Sequence, residues 1–151
     1  MFLPLLLAAC GPQSLVERVD VDEGQYWVVV PDGVDPSTAP VLVHLHANGL
    51  GEATSNNETV QASLEEQGMV GVFPDGWGHS AHEDWNVGDN RHDIPRDDVA
   101  FVTRVGDDLV AHGMSDLSLG GSSKGGAMTY ELACLGDDAA YVGFIPMHGA
   151  I

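Results

Sequence analysis

Gly121-Ser122-Ser123-Lys124-Gly125 is the segment of this 151-residue chain best suited to chemistry. A serine with glycine two residues away on either side fits a sharp strand-to-helix turn. Small residues let the backbone reverse, the Ser123 hydroxyl projects beyond the strand end, and the following helix aims its free N–H groups at the same point. That geometry serves nucleophilic attack on an acyl carbon, with the backbone N–H of Lys124 as one donor to the oxyanion. The chain has 19 glycines, so the string gains weight only from its context. Leu117-Ser118-Leu119 reads as a short strand before it, and a helix is predicted over 125–134 after it. A P-loop is excluded because Lys124 is followed by Gly125-Gly126 and not by Ser or Thr. A dinucleotide fingerprint is excluded because it belongs after the first strand, and this turn comes late.

A second oxyanion donor belongs on the loop after an earlier buried strand, and His46-Ala47-Asn48-Gly49 follows one. The N–H of Asn48 is the first candidate and that of Ala47 the next, with His46 read as a brace for the loop and not as a base. Trp77 and Trp85 lie in the long segment that follows, as an apolar platform for a substrate or as anchors of the loop. The same segment holds His79, His82 and His92 with Glu83, Asp84, Asp89 and Asp93. Their spacing matches no zinc or calcium signature, and a solvated acidic loop is the reading adopted. No metal and no cofactor is called for.

The elements that must position these residues alternate. Strands are predicted near 16–21, at Tyr26–Val30 before the turn Pro31-Asp32-Gly33, at Val41–His46, and at Met69–Phe73 before Pro74-Asp75-Gly76. Between the last two, 57–67 carries Val60 and Leu64 at helical spacing, with Gly68 as its C-terminal cap. A second helix is predicted over 97–112, where Phe101, Val102, Val105 and Leu109 recur three and four apart and Asp97 and Asp98 favour the positive end of the dipole. A last strand is expected over 140–146. This order implies an α/β fold with a doubly wound, mostly parallel sheet.

Charge narrows the partners. Asp and Glu total 23 against 5 Lys and Arg, a formal charge of −18. Such a surface repels phosphate backbones and anionic headgroups, so nucleic acid is excluded as a partner. Lys124 is the only lysine, and the acidic, lysine-poor balance resembles that of proteins from salty environments. At the N-terminus an apolar run ends in Leu7-Ala8-Ala9-Cys10, too short to span a bilayer and similar to the lipobox of bacterial lipoproteins. Contact with a membrane is then expected only through a lipid on Cys10, and the localisation is secreted or lipid-anchored to the cell envelope. The two cysteines, Cys10 and Cys134, make no disulfide framework.

Further blocks occur in order: Leu45-His46, Phe73-Pro74-Asp75-Gly76, Trp85-Asn86, Asp97-Asp98-Val99-Ala100-Phe101, and Ser123-Lys124-Gly125-Gly126-Ala127-Met128-Thr129-Tyr130 with Leu132-Ala133-Cys134. With them the chain resembles the α/β-hydrolase family of poly(3-hydroxybutyrate) depolymerases and related feruloyl and acetyl-xylan esterases, including its lipoprotein members. The family usually has glycine where this chain has Ala47 and asparagine where it has Lys124. Neither change removes a backbone donor. The resemblance implies residues 1–9 as a lipoprotein signal peptide, 10–22 as tether and first strand, and 23–151 as the N-terminal part of an α/β-hydrolase domain. It implies a serine ester hydrolase acting on a polyester or a plant-cell-wall ester, with a polymer or small-molecule ester as partner. It also implies a triad acid and histidine after later strands, and the chain reaches Ile151 without them, so a truncated chain lacking the C-terminal strands is expected. His148 is the substitute base within reach of the sequence. The alternative is a catalytically incomplete fragment or a non-catalytic acidic binding module.

Overall fold

The computed structural model describes residues 14–22, 24–47, 52–78, 84–87, 94–135 and 140–148. Six strands form one sheet. β1 (Leu15–Val21) and β2 (Gly24–Val30) are joined by so short a turn that they can pair only as an antiparallel hairpin. From β3 (Val41–Leu45) onward each strand is separated from the next by a helix: α1 (Glu58–Gln67), β4 (Val70–Pro74), α2 (Asp98–Ala111), β5 (Leu117–Ser122), α3 (Lys124–Leu135) and β6 (Tyr141–Met147). Such connections return the chain in the same direction, and β4, β3, β5 and β6 run parallel. The order across the sheet is β1-β2-β4-β3-β5-β6, with β2 antiparallel to β4. The sheet is thus mostly parallel, with an antiparallel hairpin at one edge.

Local chemistry explains the boundaries. Asn57 caps α1, its Oδ1 accepting from the N–H groups of Thr59 at 2.9 Å and Val60 at 3.3 Å. Gly68 closes the same helix in the left-handed region, φ 62°. Asp97 caps α2 by accepting from Ala100 N–H at 3.1 Å.

The main core lies between the sheet and the helices α2 and α3. Val41, Val43 and Leu45 of β3 and Leu117 and Leu119 of β5 meet Phe101, Val105, Leu109, Met128 and Leu132 there, all buried. At roughly 1.5–3 kcal/mol per buried large apolar side chain, this layer supplies most of the driving force for folding. A smaller cluster of Val29, Leu64 and Phe73 packs beneath α1 on the other side. β3 lies between β4 and β5, so the loop leaving it at His46 stands beside the turn leaving β5 at Ser123. The outer strand β6 carries Val142, Ile145 and Met147 exposed.

Candidate active site

β5 ends at Ser122 and α3 begins at Lys124, leaving Ser123 alone to make the turn. Its φ is 53°, in the left-handed region that a serine occupies only at a cost. The tightness of the turn explains both flanking glycines. A Cβ on Gly121 would stand 2.3 Å from the carbonyl oxygen of Gly125, and one on Gly125 would stand 2.2 Å from that of Leu45. Neither contact tolerates a side chain. Ser123 is held by its backbone, its N–H donating to Met147 O at 3.0 Å and its carbonyl accepting from Ala127 N–H at 2.9 Å. The side chain is exposed. As the first residue of α3, Lys124 has an N–H without an intrahelical acceptor, and that group points out of the helix end beside Ser123.

Across from the turn, His46 is buried, as the expected brace would be. Its Nε2 accepts from Gly76 N–H at 2.9 Å, its carbonyl accepts from the Trp85 indole N–H at 2.9 Å, and its ring lies 5.0 Å from that indole. Burial lowers the affinity of His46 for a proton, which favours the neutral ring whose Nε2 accepts from Gly76. Ala47 follows at the head of the loop, half-buried. Asn48 lies outside the described residues, as do Cys10, the signal and tether positions before Ser14, and His79, His82, Glu83, Asp89, His92 and Asp93.

The two tryptophans divide. Trp85 is wholly buried and bonded to His46, so it anchors the loop and offers no face to a substrate. Trp77 is 41% exposed. The reading of both as one platform is corrected accordingly: a platform would rest on Trp77 alone. Lys124 meets a carboxylate, its Nζ pairing with Asp84. Asp84 is fixed in turn by a backbone bridge to Trp77, with N–H to O distances of 2.8 and 3.0 Å, and by accepting Trp85 N–H on Oδ1 at 2.8 Å.

His148 stands just after β6 in the left-handed region, φ 54°, next to the Met147 carbonyl that Ser123 binds. No hydrogen bond joins its ring to Ser123 Oγ, and among the described residues no histidine or carboxylate partners that oxygen. The neighbouring Ser122 does have an imidazole partner, His44 Nε2 at 3.4 Å, on the face of the sheet turned toward α1. Burial lowers the proton affinity of His44, with His46 adding to the effect. A cleft of about 290 Å³ between α1 and the sheet is lined by Leu42, His44, Val60, Leu64 and Phe73 among others, and it includes none of Ser123, Lys124 or Ala47.

Three residues of the site's support are not apparent from local sequence pattern. Asp98, expected to face the helix dipole like Asp97, turns inward. It pairs with buried Arg96 and accepts Asn86 N–H at 2.6 Å, while Arg96 also donates to Asp75 O at 3.0 Å. The third is Asp84. A signal for the first two exists in the chain's scarcity of cations, since an arginine two residues before an acid at a helix start invites a pair. Among the described residues no group of three or more His, Cys, Asp or Glu could hold a metal ion, and no helix is long and apolar enough to cross a membrane.

Strand order, the strained serine after the fifth strand and the helix behind it define the α/β-hydrolase fold, and this chain has it. No family model and no curated protein matches the sequence. Solved structures do. A protein assigned as a dienelactone hydrolase from Klebsiella pneumoniae matches with a TM-score of 0.67 and 13% identity over 92% of this chain and 61% of its own. S-formylglutathione hydrolase from Staphylococcus aureus matches with a TM-score of 0.62 and 15% identity, over 93% of this chain and 59% of its own. Acetyl xylan esterase from Aspergillus awamori matches with a TM-score of 0.57 and 17% identity, over 79% of this chain and 46% of its own. The chain therefore spans 46–61% of the length of these three structures.

Proposed function

We propose that this chain is the nucleophile-bearing part of a serine ester hydrolase, secreted or lipid-anchored through Cys10, acting on a polyester or a plant-cell-wall ester. The observation that carries the reading is the left-handed Ser123 between two glycines that admit no side chain. Strain of this kind persists only where the surrounding structure holds it, and it places the hydroxyl beyond the strand end. In the proposed reaction Ser123 Oγ attacks the ester carbonyl carbon, the C–O bond to the alcohol breaks, and water later releases the acid. The Lys124 N–H and an N–H of the Ala47–Asn48 segment stabilise the tetrahedral oxyanion, each worth about 2.7–4 kcal/mol by analogy with a single oxyanion donor. Among the described residues no hydrogen bond to Ser123 Oγ marks the general base. Esterases and hydrolases among the similar structures support the reaction class.

That no described residue hydrogen-bonds Ser123 Oγ also favours a second reading, a non-catalytic acidic binding module on the same fold. Hydrolysis of 4-nitrophenyl butyrate and of 3-hydroxybutyrate oligomers by the protein and by Ser123→Ala separates the two. Turnover lost in the variant supports the esterase, while equal rates or none support the module.

A further inference from the structure

We propose that Asp84 is a specificity-determining residue of this site: its carboxylate neutralises the Lys124 ammonium, so that the neighbourhood of Ser123 selects uncharged esters over esters bearing a carboxylate. The inference rests on the reading of Ser123 as an acyl-transfer nucleophile. Lys124 is the chain's only lysine, and it directly follows that nucleophile in a molecule of formal charge −18. Left free, this ammonium would be a local attraction for an anionic substrate in a field that otherwise repels one.

The ion pair removes that attraction, and the surroundings of Asp84 hold its carboxylate in place for the pairing. The carboxylate is anchored at both oxygens, Oδ1 on Trp85 N–H at 2.8 Å and Oδ2 on Lys124 Nζ. Its backbone is bridged to Trp77 in both directions, and the adjacent Trp85 ring is wholly buried against His46. Asp84 therefore loses little freedom on pairing. The side chains are 17% and 33% exposed, less than those of Arg18–Asp20 or Arg104–Asp22 at the surface. A pair so sheltered is screened less by salt than an exposed one. The other described cations are paired as well, Arg18 and Arg104 at the surface and Arg96 with buried Asp98. Lys124 is thus the cation whose release would change the charge beside the nucleophile.

The test is a ratio. kcat/KM is measured for 4-nitrophenyl butyrate and for its isostere with a terminal carboxylate, mono-4-nitrophenyl succinate, at low ionic strength. Asp84→Asn is expected to lower the neutral-to-anionic ratio roughly 3- to 10-fold, as one uncovered charge near the ester would. The double variant Asp84→Asn/Lys124→Gln is expected to return the ratio to the parent value, and the shift is expected to shrink in 1 M salt, a concentration at which the Debye length is about 3 Å. A ratio is insensitive to the fraction of molecules folded. An unchanged ratio in Asp84→Asn, or a lowered ratio that survives in the double variant, overturns the proposal alone. Hydrolysis of neither ester by the parent overturns it together with the acyl-transfer reading.

Discussion

The carbonyl oxygen of Leu45 lies 2.2 Å from where a Cβ on Gly125 would be. The first turn of α3 is therefore in backbone contact with the end of β3, which brings Lys124 N–H close to the point where the chain leaves that strand at His46. Glycine at 125 is what permits it.

Gly125→Ala is accordingly expected to destabilise the protein by about 1–3 kcal/mol and to push α3 away from β3, an overpacking effect with no cheap relief. Urea denaturation would show the loss of stability. Ester turnover is expected to fall further than the folded fraction accounts for. Gly113→Ala, at a left-handed position with open space around it, is expected to cost only about 1 kcal/mol and to leave turnover per folded molecule unchanged.

Acid should weaken the fold through His44 and His46. Burial holds both rings below the ordinary histidine value. The unfolded chain therefore binds these protons more readily than the folded one, and stability is lost as pH falls through about 6.5, the unfolded value, toward the lower folded ones. The urea midpoint is expected to rise between pH 5 and 7. His44→Gln should flatten that rise, because one of the two depressed sites is gone. A slope identical to the parent's would contradict the assignment of His44.

Trp85 and Trp77 should behave oppositely. Trp85→Ala empties a wholly buried site and removes the donor to His46 O, at an expected cost of about 3–5 kcal/mol. Trp77→Ala removes a ring that is 41% exposed, and its stability cost is expected to stay near 1 kcal/mol or below. If Trp77 is the substrate platform, the change appears as a higher KM at nearly constant kcat, measured on an aryl ester.

Asp98→Ala leaves the buried Arg96 guanidinium without its carboxylate and Asn86 N–H without its acceptor. Removing one partner of such a pair costs about 3–5 kcal/mol. Thermal or urea unfolding of the variant checks this. A loss under 1 kcal/mol would show that water replaces the carboxylate there.

The alternation of strands and helices was legible because each element carries its own local signal. Asn57 and Gly68 bound α1, Asp97 opens α2, and the period of Phe101, Val105 and Leu109 marks its buried face. The turn at Ser123 was legible for the same reason, since its two glycines and its flanking strand and helix lie within a few residues. The partners across the fold were not. Asp84 is 40 residues from Lys124 and His44 is 78 from Ser122, and no periodicity links them. Trp85 reads from sequence as either platform or anchor, because a loop residue's burial depends on what the sheet leaves open beneath it. Asp97 and Asp98 look interchangeable at a helix start, and only the packing of Arg96 turns one of them inward.

The most direct measurement is covalent labelling of the native protein with a fluorophosphonate, followed by peptide mapping of the modified residue. The expected result is a single adduct on Ser123, absent after denaturation and absent in Ser123→Ala. No adduct on the native protein, or an adduct on Ser122 in place of Ser123, would contradict the assignment of Ser123 as an activated nucleophile.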